Sequence, residues 1–265
     1  MKCTIRFRAR LTQTKERDFY MKRAVVLAGG QGVRLRPYTV ALPKPLMPIG
    51  EYPILEVIIR QLVAHGFTHI TLAVNHQADI IKAFFQNGRK WGIKIDYSLE
   101  TKPLSTMGPL KLIQDLPENF LVMNGDVISD VDYAKFLDEH IRNKRVFTIS
   151  AHTRQEKVDY GVINISTDKG VHNTLSGFAE KPINSYLVSM GIYAVSNNVL
   201  NYIPENTLFG FDTLMSTFLT SGVEVSVQSH KGYWLDIGRP DDYNRAIEEF
   251  DTIKHTLKIE ECVEI

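Results

Sequence analysis

Hydrophobic positions along this 265-residue chain recur in two rhythms that take turns. The stretch 22–27, apolar from Ala24 onward, predicts a strand, while 54–64 repeats apolar residues at helical spacing and stops at Gly66. The same alternation continues with a strand at 69–74, a helix at 79–85, an extended run at 93–98 and a helical stretch at 110–114. Phe120-Leu121-Val122-Met123 then reads as a strand that runs out into Asn124-Gly125-Asp126. Strand and helix repeated in this way predict an α/β fold, with a mostly parallel central sheet flanked by helices on both faces. A helix at 133–140 and a strand at 146–151 follow, then a β-rich half over 160–194, a helix at 211–219, a strand at 223–228 and a closing helix from 241 to about 250. Trp91, Tyr97 and Phe120 are expected in the core. The pattern gives a single domain over 21–250, with 1–20 as an N-terminal extension and 251–265 as a C-terminal tail.

In parallel sheets ligands sit beyond the carboxyl ends of the strands, so the segments leaving those ends carry the candidate chemistry. After the first strand comes Leu27-Ala28-Gly29-Gly30-Gln31-Gly32-Val33-Arg34-Leu35-Arg36-Pro37, and shortly afterwards Pro43-Lys44-Pro45-Leu46. Glycines let a backbone approach an anion and aim N–H groups at it, and Arg34, Arg36 and Lys44 supply the neutralising charge. This is not a P-loop, which needs Gly-Lys followed by Ser or Thr. Nor is it a dinucleotide fingerprint, since Leu35 stands where the third glycine is required. Asp126 and Asp236 each sit beside a glycine just past a strand. Two carboxylates brought to one phosphate crevice repel each other unless a cation lies between them, and Mg²⁺ suits that place. Each alone would read as a turn or a helix cap.

Composition narrows the field further. A hydrophobic content of 44% in a chain of this length supports one sizeable core, and a net charge of +1 argues against a general nucleic-acid binder. No apolar run reaches the length of a membrane span, and residues 1–20 are basic and polar without a signal-peptide core. Met21 opens a segment that reads like a natural start. The two cysteines, Cys3 and Cys262, lie near opposite ends and suit a reduced compartment, so a soluble cytoplasmic protein is expected.

Six motifs occur in a characteristic order: Leu-Ala-Gly-Gly-x-Gly-x-Arg-Leu-Arg-Pro, Pro-Lys-Pro-Leu, Asn-Gly-Asp, Asp159-Tyr160-Gly161-Val162, Glu180-Lys181-Pro182 and Trp234-Leu235-Asp236-Ile237-Gly238. Over residues 21–250 the chain resembles the sugar-1-phosphate nucleotidylyltransferases, and most of all their mannose-1-phosphate guanylyltransferase branch. The resemblance implies a Rossmann-like sheet with a β-rich sugar-binding half. It also implies attack by a sugar 1-phosphate on the α-phosphorus of a nucleoside triphosphate, with Mg²⁺ as cofactor and a homodimeric assembly. Gly29, Gly30 and Gly32 would wrap the triphosphate, Arg34 would bind the departing phosphates, and Lys44 would steady them. Leu27, Ala28, Gln31, Val33, Asn124 and Gly125 would complete the nucleotide site. Asp126 and Asp236 would carry the metal. Glu180 would hold sugar hydroxyls and Lys181 the sugar phosphate, with Tyr160, Gly161, Ser189 and Gly191 shaping that subsite. Glu100 and Ser105 fall in the base-binding stretch, where a carboxylate can accept from both N1–H and the 2-amino group of guanine. Thymine and uracil offer one donor between two carbonyls, so this favours GTP, with the same reaction on CTP, UTP or dTTP as the alternative.

Three residues depart from the family pattern. Val33 replaces a Thr, Ser105 stands where glycine is usual, and Ser189 takes the place of the Asn in the sugar motif. A regulatory paralogue that binds nucleotide sugars without turning them over is the alternative of a different class, but retention of Arg34, Lys44, Asp126, Lys181 and Asp236 together speaks against it. His65 and His69 are expected as surface histidines rather than a zinc site, because Gly66 breaks the helix between them. Asp241 and Asp242 are expected as cap and dipole partners of the last helix.

Overall fold

The computed structural model describes residues 21–30, 32–75, 77–168 and 172–259. The extension at 1–20 and Gln31 therefore lie outside the described residues. The apolar run at the start is strand β1 (Lys22–Leu27), followed by two short strands, β2 (Pro48–Ile49) and β3 (Tyr52–Pro53), which pair as a hairpin. Helix α1 (Ile54–Ala64) is apolar on nearly all sides because it is sunk between the sheet and its neighbours. Its two buried charges, Glu56 and Arg60, lie one turn apart and bond to each other at 2.8 Å, which removes the cost of burying either alone. The helix ends where Gly66 turns to φ +78.

Strand β4 (Phe67–Val74), helix α2 (Ala78–Phe85) and strand β5 (Lys94–Leu99) follow as the alternation predicts. The stretch expected as a helix at 110–114 is instead a single 3-10 turn at Gly108–Leu112, with Pro109 inside it. Strands β6 (Asn119–Asn124) and β7 (Val127–Ser129) come next, then helix α3 (Tyr133–Arg142), started by an Asp132 carboxylate that accepts from the Lys135 N–H at 2.9 Å.

The β-rich half consists of β8 (Phe147–Lys157), β9 (Gly161–Asp168), β10 (His172–Glu180) and β11 (Ile183–Ser196). Strand β8 runs six residues beyond the expected end at Ala151. The polar stretch 152–157 lacks a core-facing alternation, but it pairs with β11 as one side of an exposed ribbon. Helix α4 (Phe211–Ser221), strand β12 (Val225–His230), strand β13 (Trp234–Asp236) and helix α5 (Pro240–Ile253) follow.

Seven strands form one sheet in the order β12-β8-β11-β6-β1-β4-β5, parallel throughout except for β11, which runs against both neighbours. Its strands separate two apolar cores. Ala24, Val26, Leu121 and Met123 face one side, covered by α1, α2, α3 and α5; Val25, Phe120 and Val122 face the other, covered by α4 and two 3-10 segments. Trp91 and Phe120 are buried as expected, and Tyr97 is half-buried with its hydroxyl donating to the Gln86 carbonyl at 2.6 Å. Leu257 and Ile259, in the stretch read as a tail, are buried in the first core.

Candidate active site

Strands β1 and β6 are adjacent and parallel, with Leu27 opposite Asn124, so the glycine-rich loop and Asn124-Gly125-Asp126 leave the sheet side by side. Gly125 donates its N–H to the Leu27 carbonyl at 2.9 Å, and a Cβ placed on it would lie 2.9 Å from that same oxygen. No side chain fits there, and this close approach stitches the two loops together. Beyond it, Gly32 takes φ +61, and the Thr39 hydroxyl donates to its carbonyl at 2.7 Å. Val33, exposed beside it, contributes no hydroxyl; the loop takes one from Thr39 instead. Asn75, just past the end of β4, donates its amide to the Gly29 carbonyl. Gly30 has open space where a side chain would stand, leaving its backbone accessible.

The charged residues converge from three directions. Lys44 is buried, and its ammonium pairs with the Asp126 carboxylate, as a buried cation must. Asp236 ends β13, which pairs antiparallel with β7 so that Asp236 lies opposite Val127. The Ile237 N–H donates to the Asp126 carbonyl at 2.9 Å, which holds the two aspartate-bearing segments together. Gly238 marks the point of convergence: a Cβ there would stand 2.7 Å from Lys44 Nζ, 2.9 Å from Arg34 Nη2 and 2.9 Å from Asp236 Oδ1. Arg34, Lys44, Asp126 and Asp236, spread over two hundred residues of sequence, thus border one space kept open by a missing side chain. The donor set suits Mg²⁺, a hard cation that takes one or two protein carboxylates and fills its remaining positions with phosphate and water oxygens. Among the described residues no group of three or more His, Cys, Asp or Glu gathers into a denser metal centre.

Next to this space is a cavity of about 210 Å³ walled by Asn124, Arg154, Ser189, Gly191, Trp234 and Asp236, among others. The pairing of β11 with β8 breaks between Ser189 and Tyr193 and resumes beyond it, where β11 also pairs with β6, and Gly191 takes φ +74 at this irregularity. Ser189 donates to the Tyr193 hydroxyl at 3.1 Å and accepts from the Gly191 N–H at 3.3 Å, so its side chain is engaged there.

The other expected sugar-site residues sit outside that wall, at the root of the β9–β10 hairpin. Glu180 pairs with Gly161 across the hairpin, and the Lys181 N–H donates to the Tyr160 carbonyl at 3.3 Å. Lys181 holds φ +45, a conformation that costs a non-glycine residue about 1 kcal/mol. The Phe178 ring lies 2.7 Å from where a Gly161 Cβ would be, so that position also excludes a side chain.

Glu100 continues from β5, and its Oε1 lies 3.2 Å from where a Cβ on Gly29 would stand, beside the phosphate loop. Burial pushes its carboxyl above the ordinary range, opposed in part by the Leu104 N–H that donates to Oε2 at 3.2 Å. Ser105, where glycine is usual, takes φ +65, which gives the physical reason for glycine at that position.

Two readings of individual side chains need correction. His65 and His69 are not surface histidines: their side chains are only 7% and 13% exposed, with His65 bonded to the Gln61 carbonyl and His69 to Asp96 at 2.7 Å. Asp241 and Asp242 lie in the first turn of α5, but neither caps it, since Arg239 holds the cap position without a side-chain cap bond; both oxygens of Asp242 instead accept from Arg154, at 2.9 and 3.2 Å. Arg154, Thr39 and Asn75 escaped the sequence reading. Only Asn75 had a usable signal, a polar residue just past a parallel strand.

Residues 23–252 match the nucleotidyl transferase family. A mannose-1-phosphate guanyltransferase of Yarrowia lipolytica is 34% identical over 230 residues, which cover 83% of this chain and 62% of that protein. A UTP–glucose-1-phosphate uridylyltransferase of Synechocystis sp. is 32% identical over 245 residues, covering 85% and 62%. The chain thus spans about 62% of the length of these relatives. Among solved structures, HddC from Yersinia pseudotuberculosis complexed with GMP-PN superposes with a TM-score of 0.65 at 28% identity, covering 87% of this chain and all of that one. A putative glucose-1-phosphate thymidylyltransferase from Bacillus anthracis reaches a TM-score of 0.68 at 25% identity, covering 86% and 94%. The three of these that are named as transferases differ in base or sugar but share nucleotidyl transfer to a sugar 1-phosphate.

Proposed function

The chain belongs to the nucleotidyl transferase family, and from that membership and the geometry of the crevice we propose that it transfers a nucleotidyl group from a nucleoside triphosphate to a sugar 1-phosphate. The observation that carries this reading is the convergence of Arg34, Lys44 and Asp236 on the space beside Gly238, with Asp126 bonded to Lys44. An oxygen of the sugar phosphate forms a bond to the α-phosphorus, the bond from that phosphorus to the β-phosphate oxygen breaks, and pyrophosphate leaves with the electron pair. The nucleophile is already an anion, so no base has to remove a proton. The protein's work is to bring two anions together and to stabilise charge on the transferred and departing oxygens. Arg34 and Lys44 stand at the departing end, and the open backbone at Gly30 receives the phosphates. Mg²⁺, held by Asp126 and Asp236, would supply neutralisation of the phosphate oxygens between them. Lys181 meets the sugar phosphate and Glu180 the sugar hydroxyls, with Tyr160 and Gly161 beside them.

GTP is the triphosphate this reading favours, because Glu100 presents a carboxylate beside Gly29 where the base leaves the phosphate loop. The sugar of this reading is mannose-like or heptose-like, and the first of these agrees with the name of the Yarrowia lipolytica relative. The proposed setting is cytoplasmic; among the described residues no helix is long and apolar enough to cross a membrane. The proposed assembly is a homodimer. Ile163 lies across from Phe178 and Ile165 across from Leu175, so four exposed apolar side chains share one face of the β9–β10 ribbon. A two-stranded ribbon is marginal in water by itself, and an uncharged face of this kind suits a second copy of the chain.

A pyrophosphate-release panel tests the reading, crossing GTP, CTP, UTP and dTTP with mannose, glucose, heptose and amino-sugar 1-phosphates. Turnover that is greatest with GTP and needs Mg²⁺ is the expected result. No release from any pair refutes it.

A further inference from the structure

The cavity beside the metal-binding aspartates has one wall whose chemistry the six motifs leave unassigned, and Arg154 dominates it. Arg154 lies on β8 opposite Tyr186, and its guanidinium sits 5.9 Å from the centroid of the Trp234 ring. Both partners are immobilised. The Trp234 indole N–H donates to the Met190 carbonyl at 3.1 Å, and Asp242, itself only 6% exposed, receives Arg154 through both oxygens. A guanidinium has five N–H donors, of which this clamp uses two, so three stay available in a fixed plane beside the cavity. Arg239, the other arginine of the wall, is exposed and has no such clamp among the described residues, so it lacks a fixed direction.

Charge decides what those donors meet. Asp242 neutralises Arg154, whereas Arg34 and Lys44 gather at the phosphate end of the crevice. A neutralised, clamped fork is suited to hydroxyl oxygens more than to a second anion. Ser189 leaves this part to Arg154, since its hydroxyl is tied to Tyr193 and to the Gly191 N–H.

We propose that Arg154 is the residue by which this chain selects its sugar, donating to one oxygen substituent of a neutral sugar 1-phosphate, with Asp242 as the positioning residue that aims it. The proposal rests on the transfer reading above.

The test measures kcat/KM for pyrophosphate release with the sugar 1-phosphate that wild type uses best and with its 2-, 3-, 4- and 6-deoxy analogues. Wild type is compared with Arg154→Met, Arg154→Lys and Asp242→Asn. Wild type should lose about 10- to 100-fold on one deoxy analogue, the size of one hydrogen bond from a charged donor. Arg154→Met should lose the same factor on the parent sugar and nothing further on that analogue, with KM for the triphosphate unchanged within twofold. Arg154→Lys should fail to restore the discrimination, because an ammonium lacks the planar fork, and Asp242→Asn should fall in between. An Arg154→Met enzyme that keeps wild-type sugar preferences overturns the proposal. So does one that loses equally on every analogue, which would mark a structural or phosphate-binding role. If wild type releases no pyrophosphate from any pair, the transfer reading fails. Arg154 is then judged by calorimetric binding of GDP-mannose, where an unchanged affinity in Arg154→Met overturns the inference.

Discussion

Replacing Gly238 by alanine is the most direct probe of the space on which the charged groups converge. The added methyl would lie 2.7 Å from Lys44 Nζ and 2.9 Å from both Arg34 Nη2 and Asp236 Oδ1. Ordinary carbon contacts fall near 3.5–4 Å, so each group has to retreat by roughly 1 Å. Lys44 and Arg34 are long and swing aside at little cost. Gly238 has no left-handed φ to make alanine strained, so folding stability should fall by less than about 1 kcal/mol, a melting shift of about 2–4 °C. Function is far more sensitive, because displacing a positioned group by about 1 Å costs on the order of 100-fold in rate, close to 2.7 kcal/mol of barrier. Continuous pyrophosphate release at saturating Mg²⁺, with scanning fluorimetry on the same samples, separates the two effects. A Gly238→Ala enzyme with kcat/KM within threefold of wild type refutes the assignment of this space to the reacting phosphates. A collapse of the melting temperature would show instead that Gly238 serves the fold.

Four other outcomes follow from the same geometry. Gly30→Ala meets nothing within 4 Å, so its melting temperature should match wild type while KM for the triphosphate rises about 10-fold; an unchanged KM would remove the Gly30 backbone from phosphate binding. Glu100→Gln should cut the preference for GTP over other triphosphates about 10-fold or more, and an unaltered ranking would separate Glu100 from the base. Ser105→Gly relieves a residue held at φ +65 and should raise stability by up to about 1 kcal/mol, so a lower melting temperature would contradict the strain. His140 is fully buried with Nε2 unpartnered, and desolvation, seconded by Arg145, pushes its pKa down to about 4. Between pH 6.5 and about 4 the unfolded chain takes up a proton that the folded chain refuses, so the histidine's contribution to stability should drop by about 3 kcal/mol as pH falls through that window; urea midpoints showing the same slope in His140→Gln would exclude the histidine as the cause.

What could be read from the chain and what could not divide along one physical line. The strands at 22–27 and 120–123 and the helix at 54–64 declared themselves because their apolar periodicity is local, and the rule that parallel strands place ligands at their carboxyl ends is enough to bring Asp126 to the glycine-rich loop. Glycines flagged the phosphate loop, and the structure gives two of them separate reasons: Gly32 takes a left-handed φ, and Gly30 leaves open space beside its backbone. The ion pairs that hold the site gave no such signal. Lys44 and Asp126 are 82 residues apart and Arg154 and Asp242 are 88 apart, so neither partner's neighbourhood announces the other. Arg154 was hidden twice over, because the polar run around it has no buried face to give period-two alternation and so reads as loop, although it is strand. Val33 and Ser105 show the complementary case. Both were visible as departures, but a departure carries no physical content until the backbone is known: Thr39 makes the hydroxyl contact to Gly32 that Val33 cannot, whereas nothing relieves the left-handed φ of Ser105. It follows that sequence is most informative about the proposed phosphate site, each part of which carries its own short motif, and least informative about side chains clamped across the sheet. Arg154 and Asp242 both lie outside the six motifs, so this clamp can be exchanged without disturbing any of them.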